Sequence, residues 1–128
     1  MKKIIFENGI RLISDSTEDN KTFTIGVFLP FGSKYEKDKE NGISHFIEHL
    51  LFQSNYYFNK HEVNELVENI GGRINAFTTK EFICIYVECL KDHSIFVADL
   101  IYKLIEKPLF KQEDIEQEKK VIMNEIYL

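Results

Sequence analysis

Five consecutive residues, His45-Phe46-Ile47-Glu48-His49, have the types and the spacing of a metal site. On an α-helix, residues four apart lie one turn above each other, so the imidazoles of His45 and His49 can converge on one ion. Glu48 lies on the same side, where its carboxylate can reach a water on that ion. Zinc lowers the pKa of such a water to about 7, and a nearby carboxylate can accept its proton. The motif predicts a catalytic zinc site. The competing interpretation is that these residues form the solvent-exposed face of an ordinary helix.

A catalytic zinc ion also needs a third protein ligand, for which the sequence offers Glu118 and Glu125 on a late helix. The two carboxylates are seven residues apart, which is two helical turns and roughly 10 Å along the axis. One ion therefore cannot take both as close ligands. One glutamate is a ligand candidate, and the other is a partner of a ligand or a group that faces the substrate. Taken alone, either could be an exposed helix carboxylate.

The hydrophobic pattern of the chain predicts the elements that must position these residues. Strands are predicted at residues 3–7, 10–15, 22–30, 73–79 and 82–90. Helices are predicted from Asn41 or Gly42 through the motif, with Ser44 as another possible cap, and at 60–70, from 92 or 94 to Pro108, and at 112–128. This order predicts an α+β fold with one mostly antiparallel sheet of about four to five strands and helices packed on one face.

Composition narrows the class of protein. The chain has 128 residues, which suits a single domain over 1–128, and its net charge of −5 comes without a basic block. Nucleic acid and membrane are therefore not expected as partners. The first residues lack the apolar stretch of a signal peptide, and Cys84 and Cys89 are expected on opposite faces of one strand as reduced thiols. These features together predict a cytoplasmic protein.

Several separated segments occur in an order that is typical of a known family. They are Phe31-Gly32-Ser33 with Glu36, residues 41–52, Gly71-Gly72-Arg73-Ile74-Asn75-Ala76-Phe77-Thr78, Lys107-Pro108-Leu109-Phe110, and Glu118 with residues 121–126. In this order they resemble the N-terminal catalytic domain of the pitrilysin, insulysin and mitochondrial processing peptidase family, the inverzincin metallopeptidases. The resemblance covers nearly the whole chain. It is more specific than the five-residue motif alone.

The resemblance implies a role for each residue of the metal site. His45, His49 and Glu125 would be the zinc ligands. Glu48 would be the general base that activates the water, and Glu118 would support the site from outside the ligand set. The implied function is that of a zinc-dependent metalloendopeptidase that hydrolyses small or unfolded peptides.

Asn75 and Ala76 match the strand that binds the substrate backbone in this family. A peptide would add to that strand as one more edge strand, held by main-chain hydrogen bonds. The amide of Asn75 could hold a carbonyl or an N–H group beside the scissile bond. The competing interpretation of Asn75 is a turn residue at the end of a strand.

Active members of the family are much longer than 128 residues, and a distant domain supplies further groups to their site. The chain is therefore expected to be a piece of a longer protein, to work with a second peptidase-like chain or a homo-oligomer, or to bind peptide without cutting it. A non-catalytic peptide-binding or scaffold subunit is accordingly the main alternative. A lyase is a second alternative, because S-ribosylhomocysteine lyase also carries H-x-x-E-H. That enzyme takes a cysteine well downstream as its third ligand, whereas Cys84 and Cys89 come early.

Overall fold

A computed structural model describes residues 1–128 and contains five β-strands and four α-helices. The strands are β1 (Lys2–Ile5), β2 (Arg11–Ser14), β3 (Thr22–Leu29), β4 (Arg73–Thr78) and β5 (Ile83–Leu90). The helices are α1 (Ile43–Leu51), α2 (Glu62–Asn69), α3 (Ser94–Glu106) and α4 (Gln112–Tyr127). All nine elements lie close to the segments that the hydrophobic pattern predicts, and the α+β class is confirmed. No helix combines the length and the apolar character that crossing a membrane requires.

The five strands form two antiparallel sheets, whereas the pattern predicts one. β1 and β2 form a hairpin around Asn8 and Gly9, where Gly9 has a φ of +87° and Asn8 Oδ1 accepts the N–H of Ile10. The other three strands form a sheet in the order β3-β5-β4. β3 pairs with β5 alone, so the hairpin does not extend this sheet. Periodicity identifies strands, but the choice of partner edges depends on contacts that are distant in sequence.

The hydrophobic core lies between the three-stranded sheet and helices α1, α2 and α3. β5 is the central strand, and its Ile83, Ile85 and Val87 side chains are fully buried on the face that the helices cover. The helices contribute Leu51, Val63, Val67, Val97, Leu100, Ile101 and Leu104. Burying one such side chain contributes about 1.5–3 kcal/mol. The core therefore fixes the helices on one face of the sheet, as predicted.

β4 lies at the free edge of the sheet and packs against α1. Its side chains alternate between the two faces, as they must on a strand. Ile74, Ala76 and Thr78 are half-buried on the helix side, and Arg73, Asn75 and Phe77 are exposed on the other side. The edge strand thus presents its backbone, and one of its two faces, next to the helix that carries the H-x-x-E-H motif.

Candidate metal centre

Helix α1 carries the motif, and a carboxylate from outside the helix caps its first turn. The helix begins at Ile43, after Gly42, whose φ of +89° lies in the left-handed region that favours glycine. The carboxylate of Glu36 accepts the N–H of Gly42 and the N–H of Ser44, each at 2.8 Å. These are N–H groups that have no partner within a helix. Ser44, one of the predicted caps, instead lies inside the helix and is fully buried.

Glu36 makes the stability of this helix depend on pH. Burial raises the pKa of Glu36, but hydrogen bonds from Ser44 and Gly42 lower it by more, so its pKa falls below the ordinary 4.5. A carboxyl with a depressed folded-state pKa stabilises the native state above its unfolded pKa, and this contribution disappears as the pH falls through the folded pKa. We expect Glu36→Ala to lower the free energy of unfolding by about 1 kcal/mol at pH 7, which is typical of a lost N-cap, and by clearly less at pH 3. Urea unfolding of the wild type and the variant at pH 3 and pH 7 measures this difference. An equal loss of stability at the two pH values would contradict the capping role of the ionised Glu36 carboxylate.

The two histidines of α1 meet through their outer ring nitrogens. Nε2 of His45 and Nε2 of His49 lie 3.1 Å apart, and the rings are nearly perpendicular with centroids separated by 4.7 Å. His49 is the more enclosed, with 19% of its side chain exposed against 44% for His45. The spacing of four residues on one helix produces this convergence. The open side of His45 leaves room for a ligand from solvent.

Helix α4 supplies two carboxylates to the same place, and they face different atoms. Glu125 Oε2 lies 3.8 Å from Nε2 of His45 and 3.8 Å from Nε2 of His49. Glu118 Oε2 lies 3.1 Å from the inner nitrogen, Nδ1, of His49, and its side chain is only 7% exposed. The two-turn separation along α4 therefore puts one glutamate in front of the imidazoles and the other behind one of them.

This donor set fits a zinc ion. The ligand atoms of His45, His49 and Glu125 all lie within 4.8 Å of one another. Zinc takes imidazole nitrogens and carboxylate oxygens at about 2.0–2.2 Å in tetrahedral geometry, which separates neighbouring ligand atoms by roughly 3.3 Å. The distances of 3.1 and 3.8 Å lie on either side of that value. An ionised carboxylate only accepts hydrogen bonds, so Nδ1 of His49 donates to Glu118 and the lone pair of Nε2 remains for a metal.

Glu48 belongs to the site but not to the donor set. Its Oε2 accepts a hydrogen bond from the hydroxyl of Thr78, the last residue of β4. This contact ties the carboxylate to the end of β4 and leaves Oε1 without a hydrogen-bond partner in the protein. Thr78 was missed as a functional residue. The alternation of β4, which puts Thr78 on the same face as Ala76, is the signal that could have identified it.

The loop before α1 attaches the end of β4 to the start of that helix. Ser33 N–H donates to Thr79 O at 3.2 Å, and Lys34 N–H donates to Lys80 O at 2.9 Å. A Cβ on Gly32 would lie 2.6 Å from Thr79 O, so only glycine allows this approach. The same loop continues to the capping carboxylate of α1. It therefore fixes the distance between the strand edge and the motif.

An open groove of about 550 Å³ runs between α1 and the edge of β4. His45, Glu48, Ala76 and Thr78 are among its lining residues. The structure thus brings Ala76 to the site. Asn75 is not brought there, because strand alternation turns its side chain to the outer face of the sheet.

The remaining histidines and both cysteines lie away from the donor set. His61 and His93 are the N-terminal flanking residues of α2 and α3. Cys84 and Cys89 are free and buried in β5, and burial raises the pKa of both thiols. The thiolate is the form that attacks and that binds metal, so burial disfavours both roles for these cysteines. The cysteine ligand on which the lyase alternative depends is not present at this site.

Comparisons with known proteins show the family to which the chain belongs. The model of the insulinase family, peptidase family M16, matches residues 11–128. The chain is 32% identical over 126 residues to an uncharacterized zinc protease of Bacillus subtilis, covering 98% of this chain and 31% of that protein. It is 34% identical over 119 residues to the mitochondrial-processing peptidase subunit beta of Dictyostelium discoideum, covering 92% and 25%. It is 31% identical over 118 residues to the ubiquinol-cytochrome-c reductase complex core protein I of Euglena gracilis, covering 92% and 24%.

The fold is similar to the crystal structure of a protease from Helicobacter pylori. The TM-score is 0.93 at 22% sequence identity, over 97% of this chain and 30% of that one. At this identity the likeness concerns the fold alone. The chain spans about a quarter to a third of the length of these relatives.

Proposed function

The chain belongs to the insulinase family of peptidases, family M16, and on this premise we propose that residues 1–128 form the zinc-binding part of a metalloendopeptidase. The proposed substrates are small or unfolded peptides. The observation that carries the proposal is the convergence of two imidazole nitrogens and one carboxylate beside an open strand edge, with a second carboxylate hydrogen-bonded to Thr78 on that strand.

In this proposal, His45, His49 and Glu125 hold the zinc ion. Zinc supplies Lewis-acid activation of water and of the peptide carbonyl when it is bound. Glu118 fixes the tautomer and the ring orientation of His49 through the 3.1 Å contact with Nδ1. A buried carboxylate behind the ring also makes the other ring nitrogen, Nε2, a stronger electron-pair donor to the metal. The proposal therefore assigns binding to three residues and orientation to a fourth.

Glu48 is the proposed general base. The Thr78 hydroxyl holds Oε2, so Oε1 is free to accept a proton from the attacking water and to pass it to the departing amine. A rigidly held carboxylate loses little entropy when it meets its reaction partner. Thr78 is thus a positioning residue that ties the base to the strand where the substrate would lie.

The substrate is proposed to bind as an added strand on β4. β4 is an edge strand, and an edge presents unpaired N–H and C=O groups to an extended peptide. Ala76 and Thr78 lie on this edge and line the same groove as His45 and Glu48. A peptide bound there would lie beside His45 and Glu48, which line the same groove.

A second chain, either another copy or a different peptidase-like chain, is the proposed partner. The groove is open to solvent, and His45 is almost half exposed. The relatives named above include a subunit of a mitochondrial-processing peptidase. A partner that closes the groove would exclude water from the reacting groups and strengthen their electrostatics.

A non-catalytic peptide-binding subunit is the second candidate function. It is favoured by the Euglena gracilis relative, whose name describes a core protein of the ubiquinol-cytochrome-c reductase complex and not a protease. The intact set of His45, Glu48 and His49 favours the peptidase instead. Peptide retained uncut by the zinc-loaded chain would support the second candidate.

Zinc dependence provides the direct test. We expect the purified chain with one equivalent of zinc to cleave an unstructured peptide library, to lose this activity in a chelator, and to regain it when zinc is restored, because three protein donors converge on one site. Mass spectrometry of the peptides measures the cut bonds. Cleavage that persists in the chelator would contradict a zinc peptidase. A chain that binds zinc and peptide without cutting would favour the second candidate.

A further inference from the structure

The register of the sheet determines which groups of β4 point away from it. Thr79 N–H donates to Phe82 O at 2.8 Å, so these two residues form a hydrogen-bonded pair. Hydrogen-bonded and non-hydrogen-bonded pairs alternate along an antiparallel ladder. Three steps further along, Ala76 pairs with Ile85 as a non-hydrogen-bonded pair. The N–H and C=O of Ala76 therefore point to the open edge, where a peptide strand would have to bind.

The N–H of Ala76 already has an acceptor, which is the side chain of the residue before it. Asn75 Oδ1 accepts this N–H at 2.8 Å. Asn75 is exposed on the outer face of the sheet, so its carboxamide reaches around the edge to the backbone of its neighbour. This distance lies within the normal range for an N–H···O hydrogen bond.

We propose that the Asn75 carboxamide is a placeholder for the peptide carbonyl that would pair with Ala76. In the free chain it satisfies the edge donor; when a peptide strand arrives, the side chain rotates away and a peptide C=O takes its position. The inference rests on the proposed function, since it concerns the same strand edge. It also reverses the expectation that the Asn75 amide attracts the substrate.

Two consequences follow from an exchange of one acceptor for another. The hydrogen bond between the incoming peptide and the Ala76 N–H contributes little to the free energy of binding, because the hydrogen bond from Ala76 to Asn75 is lost when the bond to the peptide forms. Only an extended segment that also pairs with neighbouring positions of β4 gains enough to displace the side chain. The carboxamide therefore selects for strand-forming peptides, and it protects an open edge from pairing with other chains.

Amide hydrogen exchange tests the hydrogen bond without any peptide or metal. In the free chain we expect the Ala76 amide to exchange about three- to tenfold faster in Asn75→Ala than in the wild type. Asn75→Asp keeps an acceptor oxygen and is expected to exchange as slowly as the wild type. Thr24→Ala, which changes an exposed residue on the outer face of β3, is the matched control. Equal exchange in the wild type and Asn75→Ala would overturn the proposal.

Peptide affinity tests the placeholder. In a Glu48→Gln background, which prevents cutting, we expect a fluorescently labelled, unstructured ten-residue peptide to bind about three- to tenfold more tightly to Asn75→Ala than to the parent, because the edge donor is then free. Weaker binding by Asn75→Ala would overturn the proposal and restore the Asn75 amide as a substrate contact. If exchange at Ala76 responds as expected but no variant binds peptide, the peptide site of the proposed function fails, and with it the placeholder role.

Discussion

Glu48→Gln is expected to lower the rate of peptide hydrolysis by about 10²–10⁴-fold while zinc binding remains unchanged. The amide of Gln has nearly the shape of the carboxylate but cannot accept a proton at neutral pH. Its oxygen can still accept the Thr78 hydroxyl, so the side chain keeps its position against β4. Glu48 is absent from the donor set of His45, His49 and Glu125, and for this reason the metal affinity should not change.

The measurement is kcat/KM for a quenched fluorescent peptide, together with a zinc titration of the same preparation. Glu65→Gln is the matched control, because Glu65 is an exposed glutamate on α2 that does not line the groove between α1 and β4. The control should cut at the wild-type rate. Undiminished cleavage by Glu48→Gln would remove Glu48 from the mechanism, and lost zinc binding would make it a ligand.

The second large effect is expected on zinc affinity, and it separates the two glutamates of α4. Glu125→Ala removes one of three converging donors, and we expect the zinc affinity to fall by more than about 100-fold. Glu118→Gln leaves the donors in place but replaces a charged acceptor behind His49 by a neutral one. Loss of such an outer partner typically costs about 10- to 100-fold in metal affinity.

Competition with a chromophoric chelator measures both zinc dissociation constants. Glu113→Gln is the matched control, since Glu113 is an exposed glutamate on the first turn of the same helix. Thermal unfolding in the chelator checks that the variants fold. A larger loss for Glu118→Gln than for Glu125→Ala would exchange the roles of the two residues.

The sequence was sufficient for the parts of the site that depend on local spacing. Residues four apart on one helix meet, and residues two turns apart on α4 do not, so the convergence of His45 with His49 and the separation of Glu118 from Glu125 follow from helix geometry alone. The α+β class followed from the order of periodic segments in the same way. The match to the insulinase family model over residues 11–128 bears out the resemblance that the separated motifs indicate.

Contacts between elements that are distant in sequence were not predictable in the same way. The capping of α1 by Glu36 depends on a loop that packs closely against the β4–β5 turn at Gly32. The hydrophobic pattern of the sequence does not predict this contact. The bond from Thr78 to Glu48 joins residues 30 apart. The strands β1 and β2 lie close to the two segments that the hydrophobic pattern predicts, but their separation from the other sheet depends on which strands pair, and β3 pairs with β5 alone.

Helix α4 has an unusual basis for its attachment to the rest of the chain. Its buried residues are Asp114 and Glu118, with no fully buried apolar side chain among them, and it packs mainly on α1. We therefore expect the packing of α4 on α1 to be stabilised by a metal bound to ligands from both helices. In the proposed site, zinc would cross-link helix α1 to helix α4 through His49 and Glu125, whose residue numbers differ by 76 (125 − 49), and would close a long loop in the native state. By mass action, free zinc at 100 times its dissociation constant adds about 2.7 kcal/mol to the free energy of unfolding. The supply of zinc in its surroundings would then regulate how long the folded chain persists, as well as whether it is active.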